Sequence, residues 1–333
     1  MHSSSKSPEV AEPTVDRSIY SHVVEVGFVV QDLDRIVNYW EQLGLKNIRR
    51  MGTQDVPGIT YLGKKSPLTL KIAQGEIGGV RVRWIQPVRG TSDFDRFLER
   101  HGDGVHHLAY AVRNEEGLEK QLRNFRSKGV GVVMEADWKG DLGERRSVYL
   151  DTAERGAGIT FALKCDPDTR KSGIPKAGNN EEPFNKFAQY AIVTRDLKKT
   201  GAFYENLGFG STPIDCVDYS SAPERYYRGK LGKFTISTNQ WGWGTVPYEW
   251  IQPGVGPSVF DECLKNHGEG IQHLAFIVTD MDQTLAAMAA KGVEVAQSGG
   301  FSYQNRRGRF AYLDTEPYGG VMIEFIWREP DSR

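Results

Sequence analysis

Apolar and polar positions along this chain fall into one order of elements, and that order then recurs. Val23 to Val30 is a mostly apolar run that predicts a buried strand, and Asp32 behind it suits a helix N-cap. Leu33, Ile36, Val37, Trp40 and Leu43 share one helical face, and Gly44 supplies the stop. Three strand-like stretches follow near residues 59–62, 68–73 and 80–85, punctuated by Gly and Pro. The predicted unit is strand, helix, three strands.

A second unit opens at Val105 and carries Leu118, Leu122 and Phe125 on its helix, which Gly129 ends. Strand candidates at 131–134, 146–150 and 159–163 complete it. A third unit runs from Phe187, with its helix after Asp196 and strands near 225–228, 233–237 and 248–251. The fourth starts at Ile271, places Met281, Leu285 and Met288 on a helix, and ends in the apolar run from Val321 to Trp327. The fold class expected is α+β: four βαβββ modules paired into two domains with cupped mixed sheets.

The repeat is visible in the letters. Gly104-Val-His-His-Leu-Ala returns as Gly270-Ile-Gln-His-Leu-Ala, so His273 stands 273 − 107 = 166 residues after His107. Trp84-Ile-Gln-Pro87 returns as Trp250-Ile-Gln-Pro253 at the same offset, and Tyr149-Leu-Asp-Thr152 returns as Tyr312-Leu-Asp-Thr315. The chain is a tandem duplication. Residues 1–18 are polar and Pro-punctuated and are expected as a mobile tail. Residues 19–165 and 186–330 form the two domains, joined by a Pro-, Gly- and Asn-rich linker over 166–185.

Composition narrows the function classes. A net charge of −1 over 333 residues gives no electrostatic footprint for nucleic acid or an anionic membrane, and no apolar run is long enough to span a bilayer. Cys165, Cys216 and Cys263 are odd in number and widely spaced, which fits reduced thiols in a cytoplasmic protein. The partner expected is a small-molecule substrate, and the chain is expected as a monomer or homodimer.

The Asp-Leu…Phe-Tyr…Leu-Gly helix signature, the Gly-x-x-His-Leu-Ala strands and the closing Gly319-Gly-Val-Met-Ile-Glu-Phe325 resemble the vicinal oxygen chelate superfamily. That superfamily includes glyoxalase I, methylmalonyl-CoA epimerase, extradiol dioxygenases, 4-hydroxyphenylpyruvate dioxygenase and bleomycin-binding proteins. The resemblance implies a metal set of Gln189, Glu249, His273 and Glu324 in the second domain. Residue chemistry agrees. Glu324 lies between Ile323 and Phe325, and Glu249 between Tyr248 and Trp250, costly places for bare carboxylates. One divalent cation would neutralise them, and the N/O set suits Zn, Ni, Co or Mn, or Fe(II) in a dioxygenase. The first domain offers Glu25, Arg83, His107 and Thr160 at the matched positions, and the fixed cation of Arg83 predicts that no metal binds there.

The implied chemistry is enediolate-type proton transfer beside a polarised carbonyl, as in a glyoxalase I-like lyase or an epimerase-like isomerase, with Glu324 and Glu249 as proton shuttles. The alternative is a ring-cleaving or hydroxyphenylpyruvate-type dioxygenase, in which Gln189 would replace a ligand histidine. A second alternative is a non-catalytic binding or resistance protein, with the tryptophan- and glycine-rich stretch from Asn239 to Tyr248 lining a pocket for a flat ligand. Arg306, Arg307 and Arg309 form the densest basic patch, a docking place for a substrate anion.

Overall fold

The computed structural model describes residues 14–138, 146–165, 182–242, 246–303 and 305–330. Strand β1 (Val23–Val29) leads to helix α1 (Leu33–Leu43), β2 (Arg49–Val56), β3 (Ile59–Tyr61), β4 (Lys64–Lys65), β5 (Leu68–Ile77) and β6 (Val80–Arg89). Helix α2 (Asp93–His101) bridges to β7 (Gly104–Val112), α3 (Glu115–Ser127), β8 (Val132–Asp137), β9 (Arg146–Leu150) and β10 (Thr160–Cys165). The second half repeats the series with β11 (Phe187–Val193), α4 (Leu197–Asn206), β12 (Asp215–Asp218), β13 (Tyr226–Tyr227), β14 (Lys230–Leu231), β15 (Thr235–Trp241) and β16 (Tyr248–Pro253). It closes with α5 (Val259–Asn266), β17 (Gly270–Ile277), α6 (Met281–Ala289), β18 (Val295–Tyr303), β19 (Arg306–Leu313), α7 (Glu316–Gly319) and β20 (Met322–Arg328).

Each half is one curled ten-stranded sheet, ordered β2-β5-β6-β1-β7-β10-β9-β8-β3-β4 and β12-β15-β16-β11-β17-β20-β19-β18-β13-β14. The first strands of paired units, β1 with β7 and β11 with β17, run antiparallel at the centre. This is the expected α+β fold of four βαβββ units in two domains.

The helix starts follow from side-chain caps. Asp32, Asp196 and Asp280 each accept from the amide three residues on, at 3.1, 3.0 and 2.9 Å, and Asn114 does the same in the second unit at 2.9 Å. Gly44 ends α1 with a φ of 113°, a left-handed conformation that glycine adopts without Cβ strain. The five apolar residues expected on that helix are all buried.

Two features depart from the pattern-based expectation. The stretch at 59–62 is no strand of its own unit: the β3–β4 hairpin crosses to pair with β8, Ile59 opposite Ala136, and β13 does the same against β18. The missing strand of the first unit is β2, which is mostly exposed and polar and so carries no apolar alternation. Helices α2 and α5 also lie outside the strand-helix-strands order, seated by buried Phe94 and Phe97 and by Val259, Phe260 and Leu264.

One core cluster draws residues from both halves, while a separate cluster fills each sheet's other side. Hydrogen bonds cross the seam as well. Tyr248 donates to the Tyr20 carbonyl at 3.0 Å, Tyr204 to that of Gly156 at 2.8 Å, and Trp40 to that of Gly319 at 3.0 Å. Of the polar stretch at 1–18, residues 1–13 lie outside the described residues; Val15 is buried and Asp16 caps a short 3-10 turn at Arg17–Ser21. Most of the linker, 166–181, also lies outside them. Among the described residues, no helix is long and apolar enough to cross a membrane.

Candidate metal centre

The four residues Gln189, Glu249, His273 and Glu324 come from four different strands and meet in the second domain. Strand β11 pairs in parallel with β16, setting Ala191 opposite Glu249, and antiparallel with β17, setting Ala191 opposite His273. Strand β20 brings Glu324 opposite Ala275. Gln189 Nε2 lies 2.7 Å from Glu249 Oε2, 3.3 Å from Glu324 Oε2 and 3.4 Å from His273 Nε2. His273 Nε2 is 3.2 Å from Glu324 Oε2. His273 is fully buried, and Glu324 and Glu249 retain only 3% and 8% exposure, so neither carboxylate is solvated.

A β-bulge shapes this arrangement. Between the pairs Ala191–His273 and Ile192–Ile271 the register slips, leaving Gln272 as an extra residue in β17. The bulge lets two consecutive side chains meet: Gln272 Oε1 lies 2.6 Å from His273 Nδ1, and Gln272 Nε2 is 3.1 Å from Met322 Sδ. An amide oxygen accepts only, so Nδ1 carries a proton, and Nε2 is the ring nitrogen that faces the carboxylates.

That geometry tests the fit of a cation. A ring nitrogen and two carboxylate oxygens all face one point, and the group now at that point is the electropositive end of an amide. A divalent cation at that point would compensate the carboxylates that burial leaves unsolvated. The imidazole is held by its other nitrogen, as a metal-ligating histidine is, and Gln189 can offer its amide oxygen on turning. Among the described residues no three His, Cys, Asp or Glu side chains form a metal cage on their own. The cluster here needs its amide, because Glu249 joins the other two only through Gln189. The donor set of two carboxylates, one imidazole and one amide fits a divalent ion.

Burial pushes Glu249 up from its ordinary value and nearby Glu324 adds to the shift, while His273 and hydrogen bonds from Gln240 and Thr238 oppose it. Those hydrogen bonds fix Oε1, at 3.0 Å from Thr238 Oγ1 and 3.1 Å from Gln240 Nε2, and leave Oε2 directed inward. The Tyr312 ring stands edge-on to His273 at 4.9 Å, and its hydroxyl is held well above the usual phenol range by burial and then by Glu324 and Glu249. Phe260, Phe310 and Tyr219 continue this aromatic wall.

The matched place in the first domain is built differently. Glu25 corresponds to Gln189 and Arg83 to Glu249, and His107 to His273, as the strand registers confirm. Thr160 is not the counterpart of Glu324. It pairs with His107 as Met322 pairs with His273, so the counterpart is Ala162, paired with Ala109 as Glu324 is with Ala275. The offset there is 162, because the connections before the last strand differ in length. Lys164, two residues on, reaches Glu25 Oε1 at 2.6 Å, and Arg83 Nε lies 3.3 Å from Glu25 Oε2. Burial pushes Glu25 up, but Arg83, Lys164 and His107 together outweigh it and hold the carboxyl well below its ordinary value.

Gln272 and Lys164 escaped the sequence reading. The signal for Lys164 was a lysine two residues from Ala162 in an otherwise apolar strand, hence on the same face. The basic patch also changes meaning. Arg309 is paired with Glu224 and Asp282, both at 2.8 Å, and Arg307 with Glu329 at 3.2 Å, so these two guanidiniums are already neutralised. In the stretch from Asn239 to Tyr248, Trp241 is buried and donates to the Gly210 carbonyl at 2.9 Å, while residues 243–245 lie outside the described residues.

Comparison with known proteins agrees with this architecture. The sequence profile described as the Glyoxalase/Bleomycin resistance protein/Dioxygenase superfamily matches residues 25–149 and again 188–312. The chain belongs to that superfamily. It is 22% identical over 317 residues to the uncharacterized protein slr0090 of Synechocystis sp., covering 88% of this chain and 78% of that protein. It is 22% identical over 150 residues to the uncharacterized protein YqjC of Bacillus subtilis, covering 44% of this chain and 96% of YqjC. YqjC is thus matched over about one domain. Among solved structures, a mutant of 4-hydroxymandelate synthase from Streptomyces coelicolor superposes with a TM-score of 0.57 at 16% identity, covering 94% of each chain. A xylose isomerase-like TIM barrel/4-hydroxyphenylpyruvate dioxygenase fusion protein superposes with a TM-score of 0.52 at 15% identity, over 98% of this chain and 52% of the fusion.

Proposed function

We propose that the chain is a metal-dependent enzyme of this superfamily that moves a proton next to a substrate carbonyl, as a glyoxalase I-like lyase or an epimerase-like isomerase does. The observation that carries the reading is the meeting of Glu249, His273 and Glu324 on one amide group of Gln189. Gln189, Glu249, His273 and Glu324 would hold one divalent ion, and that ion supplies Lewis-acid polarisation of a carbonyl-bearing small molecule. Glu249, raised by burial and oriented by Thr238 and Gln240, is suited to take a proton from carbon and return it. Glu324, paired across the strands with Tyr312, is the second carboxylate in reach. Each domain completes its own cup, so a monomer is sufficient for activity and a homodimer is compatible with it. The widely spaced free thiols favour a cytoplasmic setting.

A second reading, an Fe(II) dioxygenase, draws support from the whole-chain superposition on 4-hydroxymandelate synthase. The amide of Gln189 and the additional carboxylate of Glu249 weigh for proton transfer instead, since imidazole binds Fe(II) better than an amide oxygen does.

Elemental analysis of protein purified without an affinity column, beside His273→Ala and Glu324→Ala, tests the proposal. Close to one equivalent of Zn, Ni, Co or Mn, lost in both variants, is the expected result and directs assays to thiohemiacetals and acyl-CoA epimers. One equivalent of iron transfers the assignment to the dioxygenase. Absence of metal together with unaltered variants overturns both and leaves a binding protein.

A further inference from the structure

A cavity of about 960 Å³ opens at the seam of the two halves, away from the residues gathered around His273. Its walls come from the segment before β1, from α3 with its C-terminal cap, and from the end of α4. Cations outnumber carboxylates in that lining: Arg17, Lys120, Arg123 and Lys128 against Asp16 and Glu205. Asp16 is already engaged, its Oδ1 accepting from the amide of Ser18 at 3.0 Å and from its hydroxyl at 2.7 Å.

Several cations elsewhere on the surface are neutralised. Arg35 meets Asp103, Arg146 meets three glutamates, and Arg228 meets Glu262 and Asp314. Lys120, Arg123 and Lys128 meet no carboxylate among the described residues, and all three line this one space. Asn124, only 6% exposed, lines it as well. Converging unneutralised cations in a concavity attract a multiply charged anion. The volume is that of a small-molecule site. Among the described residues no aromatic ring lines it to stack a base, so recognition rests on the charged groups.

We propose that this seam cavity binds the phosphate groups of a polyphosphorylated small molecule, independently of the metal centre. Because the cavity takes residues from both halves, the bound anion ties them together and raises the unfolding temperature.

Calorimetric titration of the full chain with pyrophosphate at low ionic strength tests this, alongside Lys120→Ala/Arg123→Ala and His273→Ala. The expected result is saturable, salt-sensitive binding with a raised unfolding midpoint, weakened about tenfold or more in the double variant. His273→Ala is expected to bind as the parent does, which separates this site from chelation at the metal centre and from any failure of the proposed activity. ATP is expected to bind comparably to pyrophosphate. Absence of saturable binding, retention of pyrophosphate or ATP binding in the double variant, or its loss in His273→Ala overturns the assignment.

Discussion

Lys164 Nζ lies 2.6 Å from Glu25 Oε1, and both side chains are sealed from solvent. In the second half the place of Lys164 is taken by Ile326, which pairs with Ile277 as Lys164 pairs with Ala111. The first domain therefore carries its own cations, Lys164 and Arg83, around its single carboxylate, and Trp138 lies 5.0 Å from the guanidinium. The second domain instead gathers two carboxylates, Glu249 and Glu324, and on the proposed function a divalent ion from outside balances them. Removing one member of a buried pair leaves the other charge uncompensated, at a cost of about 3–5 kcal/mol. Glu25→Gln, which strips the carboxylate from both Lys164 and Arg83, is expected to destabilise by at least that order in chemical denaturation, and Lys164→Met, which leaves Glu25 paired with Arg83, by less. Metal content should stay unaltered in both.

A chain of buried groups extends from this pair. His107 Nε2 is 3.3 Å from Glu25 Oε1, His106 Nδ1 is 3.0 Å from His107 Nδ1, and His106 Nε2 is 3.0 Å from Asp93 Oδ2. Burial, which outweighs the help from Glu25, pushes His107 down to about 4. A histidine lowered on folding binds its proton more tightly when unfolded, so the folded state loses stability as pH falls from about 6.5 towards 4. Glu25, also lowered, extends the loss to more acidic pH, below its ordinary value. The histidine step alone is worth roughly 3 kcal/mol. Denaturation midpoints measured from pH 7 to pH 4 should fall steadily, and His107→Gln should flatten that fall. A flat profile in the parent would contradict the burial argument.

The fold was legible because duplication writes every element twice. The offset of 166 between His107 and His273 marks equivalent strands, and Asp32 and Asp196 mark helix starts that the structure caps as expected. What the letters concealed has physical causes. Strand β2 is exposed and polar, so no alternation announces it. Ala162 was hidden behind Thr160 because alignment by offset cannot see a connection change length. Gln272 was passed over because adjacent residues in a regular strand face opposite ways, and only the bulge brings it beside His273.

Gly27 gives a direct check on how closely the halves match. It stands opposite His107 as Ala191 stands opposite His273. A Cβ on Gly27 would lie 1.8 Å from His107 Cε1, so the ring covers the space that the Ala191 methyl takes in the other half. Gly27→Ala must displace the buried ring from Glu25, and a loss of about 1–3 kcal/mol is expected, as for other overpacked cores. Ala191→Gly meets no such obstacle and should cost about 1 kcal/mol or less. Comparable losses from the two substitutions in thermal unfolding would show that the His107 ring is free to move.

Gln272 tests the metal centre without touching a ligand. Its Oε1 lies 2.6 Å from His273 Nδ1 and fixes both the ring and the tautomer that leaves Nε2 free for a cation. Gln272→Leu removes the acceptor while keeping a side chain of similar volume in the bulge. The buried Nδ1–H then loses its partner, which costs about 1–3 kcal/mol, and the ring gains a second orientation. Partners of this kind typically change metal affinity by about 10–100-fold. Competition titration with a chelating dye should therefore show Zn²⁺ affinity reduced by that factor, with the folded signal retained in circular dichroism. Gln272→Asn, whose oxygen sits on a shorter arm, should recover only part of the loss. A merely structural Gln272 would lower stability and leave the affinity of the folded protein for zinc unaltered, so measuring both quantities on the same sample separates the two roles.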